Sequence, residues 1–169
     1  VCTTMQLYDQ GIWRNRGCDH EFLPICSVGM NVAPKKTKCR AGYEYWSGYC
    51  YKFFEDGMNQ TAATLTCQQD GAQLLTVTSE YENQWLSHHA APRKFADLWM
   101  GVTGFRENGG WKKIGGGYPL YTNWGPSQGP EYAERGGGRV CAVMEIRNDG
   151  VWGKRSCWQT AHAVCKYQV

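Results

Sequence analysis

Two stretches near opposite ends of the chain repeat one pattern, and this repeat decides how the sequence is organised. G-I-W-R-N-R-G-C occupies residues 11–18, and G-V-W-G-K-R-S-C occupies residues 150–157. An offset of 139 residues carries 1–26 onto 140–165 without a gap. The identical pairs are Val1/Val140, Cys2/Cys141, Met5/Met144, Gly11/Gly150, Trp13/Trp152, Arg16/Arg155, Cys18/Cys157 and Cys26/Cys165. Chance does not explain three cysteines and a tryptophan in register, so the chain contains two copies of one module.

The register of the repeat predicts the domain boundaries. Residues 1–26 match the C-terminal end of a domain, and residues 39–166 are expected to form a complete second copy. Residues 27–38, S-V-G-M-N-V-A-P-K-K-T-K, are polar, basic and interrupted by a proline, which is typical of a linker. The chain is therefore expected to begin within a domain. Val1 corresponds to the residue after an arginine in the second copy, so a trypsin-like cut in an exposed loop could generate it, with an arbitrary boundary as the alternative.

The cysteine content points to an oxidising, extracellular setting. The 169 residues include nine cysteines and no C-x-x-C pair, which favours disulfides over a zinc site built from paired thiolates. The odd number leaves at least one cysteine free or bonded outside the chain. The net charge of +3 comes without a basic run, so nucleic acid is not an expected partner. No apolar stretch reaches the roughly 20 residues that span a bilayer.

Local patterns predict an α+β domain. A helix is expected over 59–69, and Ser79 with Glu82 forms a capping-box pattern that opens a second helix, with Tyr81 and Trp85 facing inward. Strands are expected at 72–77, 98–102, 140–146 and 151–157, the last two joined by a turn at Asn148-Asp149-Gly150. Residues 103–139 are rich in Gly, Pro and aromatic residues and are expected to form a long functional or disordered loop.

Residues 39–166 resemble the C-type lectin-like domain in its long form. The resemblance depends on Cys39 and Cys50, A-A-T-L-T-C at 62–67, W-M-G-V at 99–102, N-W-G-P at 123–126 and V-C-A-V-M at 140–144, together with the repeated stretch at 150–165. It implies two helices, small antiparallel sheets and a long loop, stapled by disulfides. The implied bridges are Cys39–Cys50, Cys67–Cys165 and Cys141–Cys157, with Cys2–Cys18 in the leading copy and Cys26 joined to a cysteine outside this chain.

The residues depart from the calcium-binding pattern of the sugar-binding members. That pattern has Glu-Pro-Asn or Gln-Pro-Asp in the loop, a glutamate before the strand cysteine, and Trp-Asn-Asp after it. This chain has Gly129-Pro130-Glu131, Arg139 and Trp152-Gly153-Lys154 at those places, with Glu134 too early to supply the second acid. Arginine and lysine offer no acceptor and would add positive charge beside an ion that needs about 6–8 oxygen ligands. We therefore expect no calcium at the long-loop site and no other cofactor.

A basic and aromatic face at the loop end is the candidate ligand site. A protein partner or a sulfated, anionic glycan would suit such a face. Trp99, Trp111, Trp124 and Trp152 are expected in the core, and the more ordinary interpretation of the cations is that they are separate solvated residues. The candidate ligand-binding residues are Lys112, Lys113, Tyr132, Arg135, Arg139, Arg147, Lys154 and Arg155.

Three classes of function remain open at this stage. The favoured one is a calcium-independent, extracellular recognition or adhesion module, secreted or part of an ectodomain, from a tandem protein of the mannose-receptor type. The alternatives are a structural component of an extracellular matrix or filament and a calcium-dependent lectin. No spacing indicates an activated nucleophile, so an enzyme is not expected. His88 and His89 are expected to be a polar helix end, and Asn59 is a candidate glycosylation site that could also cap a helix.

Overall fold

The computed structural model describes residues 2–6, 12–16, 39–105, 110–129 and 140–169, with the backbone alone for the first two ranges and Phe105. The chain divides into two compact units, Val1–Lys35 and Lys36–Val169, and the division lies within the segment expected to be a linker. Cys18 and Cys26 lie outside the described residues, so the bridges expected for the leading copy stay predictions.

The repeat seen in the sequence is also a repeat of strand register. In the first unit, β1 (Cys2–Gln6) pairs antiparallel with β2 (Ile12–Arg16). In the second unit, β8 (Val140–Glu145) pairs antiparallel with β9 (Val151–Ser156). The corresponding pairs are Cys2 opposite Arg16 with Cys141 opposite Arg155, and Met5 opposite Trp13 with Met144 opposite Trp152. The two strands therefore pair in the same register in both copies, with corresponding positions opposite each other.

The described residues of the second unit form two α-helices and two four-stranded antiparallel sheets. Its remaining elements are β3 (Glu44–Trp46), β4 (Tyr49–Phe53), α1 (Gln60–Gln69), β5 (Gln73–Leu74), α2 (Glu80–Ala90), β6 (Asp97–Phe105), β7 (Gly110–Lys113) and β10 (Val164–Gln168). The strand orders are β3-β4-β10-β5 and β7-β6-β8-β9. None of the helices among the described residues is long and apolar enough to cross a membrane. The architecture is the expected α+β fold.

Side-chain caps fix where both helices begin. The Asn59 side chain accepts a hydrogen bond from the Ala62 N–H at 2.9 Å, and Ser79 accepts one from the Glu82 N–H at 3.2 Å. The second half of the expected capping box is absent, because the Glu82 carboxylate bonds to the N–H and hydroxyl of Thr78 instead. The inward orientation expected for Tyr81 is wrong, since this side chain is 79% exposed.

The disulfides expected for the second unit link its strands and helices covalently. The three bridges implied by the resemblance, Cys39–Cys50, Cys67–Cys165 and Cys141–Cys157, are all formed.

Gly101 lies where β6 passes close to the backbone of the residues after α1. A Cβ at this position would come within 2.7 Å of the Leu74 carbonyl oxygen. A glycine is required here because of this close approach, which explains the third residue of W-M-G-V.

Two strand boundaries differ from the sequence-based expectation. The strand expected over 72–77 is only two residues long, because β5 pairs with β10 at Leu74 and Gln73 alone. The long segment after residue 102 is not structureless throughout. Strand β6 continues to Phe105 and pairs with β7, so part of the expected loop extends the sheet. Its glycines mark turns as well as loops: Gly115, Gly116 and Gly117 all have positive φ after β7.

Candidate functional site

Residues 123–128 of the long loop are hydrogen-bonded to the free edge of β9. The Asn123 carbonyl oxygen accepts from the Trp152 N–H at 2.7 Å, and the Gly125 N–H donates to the Trp152 carbonyl at 2.9 Å. One residue pair further along, the Lys154 N–H donates to the Gln128 side-chain oxygen at 2.9 Å. The segment 123–128 therefore lies along β9. It forms hydrogen bonds with both the N–H and the carbonyl of Trp152 and with the N–H of Lys154.

Trp124, which belongs to this segment, packs in a group of four aromatic rings with Trp111, Tyr121 and Trp152. Trp111 and Trp124 have ring centroids 4.5 Å apart, Trp124 and Trp152 lie 5.4 Å apart, and Tyr121 packs edge-on against Trp152 at 5.9 Å. Trp152 also donates its indole N–H to Asn83 at 2.8 Å. Burial raises the pKa of Tyr121, and the nearby Glu80 carboxylate adds to the shift. These contacts pack the base of the loop against the core of the second unit.

The tryptophans expected in the core are placed there with one exception. Trp99 and Trp152 are fully buried and Trp111 is 3% exposed, whereas Trp124 is half-buried. Among the described residues, the indole N–H groups of Trp111 and Trp124 have no hydrogen-bond partner.

Strand alternation divides the described candidate cations between two faces of the sheet. Lys112 lies opposite Thr103 on β6, and Arg155 lies opposite Cys141 on β8, in one row across the four strands. Their neighbours Lys113 and Lys154 point to the other face, because successive side chains of a strand alternate. This second face carries the pair Trp111 and Trp124. The adjacent pairs in the sequence therefore do not form a single cluster.

The described cations also differ in their contacts. Arg155 forms an ion pair with Asp97 at 2.6 Å, and the Lys112 ammonium lies 5.9 Å from the centre of the exposed Tyr118 ring. Arg147 is exposed in the turn between β8 and β9, at the opposite end of the hairpin from Arg155. The structure thus separates Arg147 from the loop end. The candidates Tyr132, Arg135 and Arg139, with Glu131 and Glu134, lie outside the described residues.

The structure describes only part of the site at which calcium was considered, namely the residues around Trp152. Gly153 has no side chain, and a side chain added there would run into the Glu145 carboxylate. Lys154 brings a cation, and the oxygen of Gln128 is already engaged by the Lys154 N–H. Within 39–105, 110–129 and 140–169, no three His, Cys, Asp or Glu side chains come together as a metal site. Because residues 130–139 lie outside the described ranges, the absence of calcium at the long loop stays a prediction.

One buried ionic network is a feature that the sequence did not reveal. The Lys166 ammonium donates to Glu82 at 2.5 Å and to the Thr76 carbonyl at 3.0 Å. The same carboxylate accepts from the Tyr51 hydroxyl at 2.8 Å. Burial lowers the pKa of Lys166, and the hydrogen bond to Glu82 opposes that shift. No local pattern marks this pair, because its members are 84 residues apart and lie on different elements.

A surface stack on α2 accounts for one of the two histidines. His89 lies parallel to Trp85 with ring centroids 4.8 Å apart, and Trp85 stacks on Trp46 at 4.9 Å. The His89 ring nitrogen contacts Glu44, and the same carboxylate accepts from Arg93 at 2.7 Å. His88 is exposed on the adjacent helix position.

The chain belongs to the C-type lectin domain family, whose model (Lectin C-type domain) matches residues 56–167. It is 33% identical over 132 residues to the asialoglycoprotein receptor 2 of Mus musculus, which covers 76% of this chain and 42% of that protein. It is 30% identical over 176 residues to the secretory phospholipase A2 receptor of Homo sapiens, covering 98% of this chain and 12% of the receptor. The C-type mannose receptor 2 of Homo sapiens matches 95% of this chain at 25% identity, over 11% of its own length.

The chain thus spans less than half the length of these relatives. The mannose receptor and the phospholipase receptor are tandem C-type lectin-like proteins. Among solved structures, a human scavenger receptor C-type lectin carbohydrate-recognition domain superposes with a TM-score of 0.68 at 22% identity, covering 78% of this chain and all of that one. A calcium-independent type II antifreeze protein superposes with a TM-score of 0.65 at 20% identity, covering 78% of this chain and 95% of that one. These two likenesses concern the fold.

Proposed function

We propose that residues 39–166 form an extracellular, non-enzymatic recognition module that binds a protein or an anionic glycan without calcium. The carrying observation is the arrangement at Lys154. Its backbone N–H is held by Gln128 beside Gly153, so a lysine and a glycine stand where a calcium site would need oxygen-bearing side chains. The family is generally a non-enzymatic recognition domain, which supports the first part of the proposal.

Lys113 and Lys154 are the described cations that best suit an anionic ligand. They point to the same face of the β7-β6-β8-β9 sheet, from its two opposite edges, and the tryptophan pair Trp111 and Trp124 lies on that face between them. An extended anionic ligand that crosses this face could interact with both ammonium groups. Arg155 lies on the other face of the sheet, where it pairs with Asp97.

The similarity to tandem receptors supports the wider context of the proposal. Two of these relatives align with nearly the whole chain, including the residues before 39. We infer that this chain belongs to a receptor or adhesion protein in which such domains follow one another, with the linker of 27–38 between two copies. The antifreeze protein mentioned above supports the view that the fold does not itself require calcium.

Binding of a sulfated oligosaccharide in EDTA tests the proposal. We expect binding that weakens as sodium chloride rises, because exposed charges are screened over about 8 Å at physiological salt. Lys154→Gln should weaken binding by about fivefold, the effect of roughly 1 kcal/mol from a single partly exposed ion pair. Arg147→Gln is the matched control, since it removes the same charge from the other end of the same hairpin and should leave the affinity unchanged.

Two results would reject this proposal. Binding that requires calcium would restore the ordinary lectin chemistry. Equal losses from Lys154→Gln and Arg147→Gln would show that net charge alone attracts the ligand and that the loop end is not a site. Salt-insensitive binding of a protein partner, lost on substitution of Trp124 alone, would instead indicate an apolar interface at the same face.

A further inference from the structure

The segment between β9 and β10 lies beside the only glycosylation sequon of the chain, Asn59-Gln60-Thr61. Met58 exchanges two backbone hydrogen bonds with Ala161, both at 3.0 Å, and the Gln60 N–H donates to the Cys157 carbonyl at 3.2 Å. The residues on either side of Asn59 are therefore bonded to the two ends of the segment 157–161. These bonds place the backbone of Asn59 alongside the middle of that segment.

The middle of the segment presents an unusually exposed tryptophan. Trp158 is 78% exposed, although the preceding Cys157 is buried and held by its bridge to Cys141. A hydrogen bond of 3.0 Å from the Gln159 N–H to the Ser156 carbonyl closes a turn around it. No other described aromatic ring packs against Trp158. The indole of Trp158 is therefore accessible to a group that lies outside the fold.

The geometry of Asn59 is compatible with a covalent glycan. Its side-chain oxygen caps α1, while Nδ2, the atom to which an N-linked sugar attaches, makes no hydrogen bond to the described residues. The middle residue of the sequon is anchored in the core, since the Gln60 amide donates to the Met100 carbonyl at 2.9 Å. Thr61, whose hydroxyl completes the sequon, is exposed. Capping and glycosylation therefore use different atoms of one side chain.

We propose that Asn59 carries an N-linked glycan and that its first N-acetylglucosamine packs on Trp158. In the modification, Nδ2 loses a proton and bonds to the anomeric carbon of the sugar, and the bond from that carbon to the diphosphate of a lipid-linked oligosaccharide breaks. The C–H groups on one face of the sugar ring then cover the electron-rich face of the indole. The glycan shields the one described tryptophan that the fold leaves in water, and it stabilises the turn that follows β9.

The inference is tested on the whole chain secreted from mammalian cells. Peptide mass spectrometry should find a hexosamine-containing glycan on Asn59, lost in Thr61→Ala and kept in Thr61→Ser. Thr61→Ala removes the sequon without touching the Asn59 cap. Release of the glycan with an N-glycosidase converts Asn59 to aspartate, which still caps the helix, so it gives an independent comparison.

Two readouts then report on Trp158. Removing the glycan should raise acrylamide quenching of tryptophan fluorescence and lower Tm by about 2–4 °C, the shift that one modest contact produces in a domain of this size. Both effects should vanish in a Trp158→Ser background. An unmodified Asn59 would overturn the proposal, and so would equal effects of glycan removal with and without Trp158. Neither outcome depends on whether calcium or an anionic ligand binds at the loop.

Discussion

Replacing Lys166 with methionine should destabilise the domain more than any ordinary surface substitution. The lysine side chain is 6% exposed and its partner Glu82 is 2% exposed. Methionine keeps the apolar stem of lysine but removes the ammonium, so the Glu82 carboxylate stays buried without a cation. The network links β10 to α2 and to Tyr51 on β4, and its loss affects three elements at once.

The size of the effect follows from what Glu82 retains. Breaking a buried ion pair by removing one member costs about 3–5 kcal/mol, because a charge is left uncompensated. Here the carboxylate keeps three donors, the Tyr51 hydroxyl and both the N–H and hydroxyl of Thr78. We therefore expect the lower end, about 3 kcal/mol, which corresponds to a Tm lower by ~10 °C.

Urea unfolding with the disulfides intact measures this free energy. Lys52→Met is the matched control: Lys52 also pairs with an aspartate, Asp70 at 3.0 Å, but both side chains are about one-third exposed, so we expect only a small change. The double variant Lys166→Met, Glu82→Gln should lose less stability than the sum of the single variants, because no unpaired charge remains. Equal costs for Lys166→Met and Lys52→Met would refute the reasoning.

Three further predictions follow from the core. Gly101→Ala should lower the free energy of unfolding by about 2 kcal/mol, because the added methyl group would collide with the Leu74 carbonyl oxygen. Gly57→Ala is the control and should be neutral, since a methyl group there meets only ordinary contacts. Similar costs for the two variants would contradict the close approach at Gly101. Replacing both Cys67 and Cys165 with alanine should lower the free energy of unfolding by about 4–5 kcal/mol, because their bridge joins residues 98 positions apart. A smaller loss than the one caused by replacing Cys39 and Cys50 with alanine would be inconsistent with this. Burial raises the pKa of Tyr51 above the ordinary value of 10.0, and the nearby Glu82 carboxylate adds to the shift. Above pH 10 the folded state therefore keeps a proton that the unfolded state loses. The free energy of unfolding should fall as the pH rises above 10. Tyr51→Phe should make that fall shallower in urea titrations from pH 8 to 11.5, and an unchanged slope would show that another group is responsible.

The sequence was most informative where a signal is local or repeated. Asn59 caps α1 as its residue type predicts, and the register of the 139-residue repeat reappears as strand register in both hairpins. The Asn148-Asp149-Gly150 turn forms because Asp149 and Gly150 both adopt positive φ. In each case the information lies within a few residues of the structure it specifies.

The sequence was less informative where distant residues decide the outcome. Tyr81 and Trp85 have the spacing of an inward face, yet α2 buries the polar Glu82 and Asn83, whose partners are remote. Strand β7 could not be distinguished from a loop until β6 supplied its partner. Without that strand, the alternation that sends Lys112 and Lys113 to opposite faces was not visible. The sequence therefore suggested one basic face at the loop end for all the candidate cations.

Thermal unfolding of the chain in 10 mM calcium and in EDTA tests the central claim of calcium-independent recognition most directly. A site with a Kd of about 1 mM would stabilise the folded state by about 1.4 kcal/mol under these conditions, raising Tm by several degrees. Magnesium at the same concentration controls for ionic strength. The account predicts equal Tm values in calcium, magnesium and EDTA, together with unchanged binding of the sulfated oligosaccharide. A Tm that rises in calcium alone, with calcium-dependent ligand binding, would contradict it.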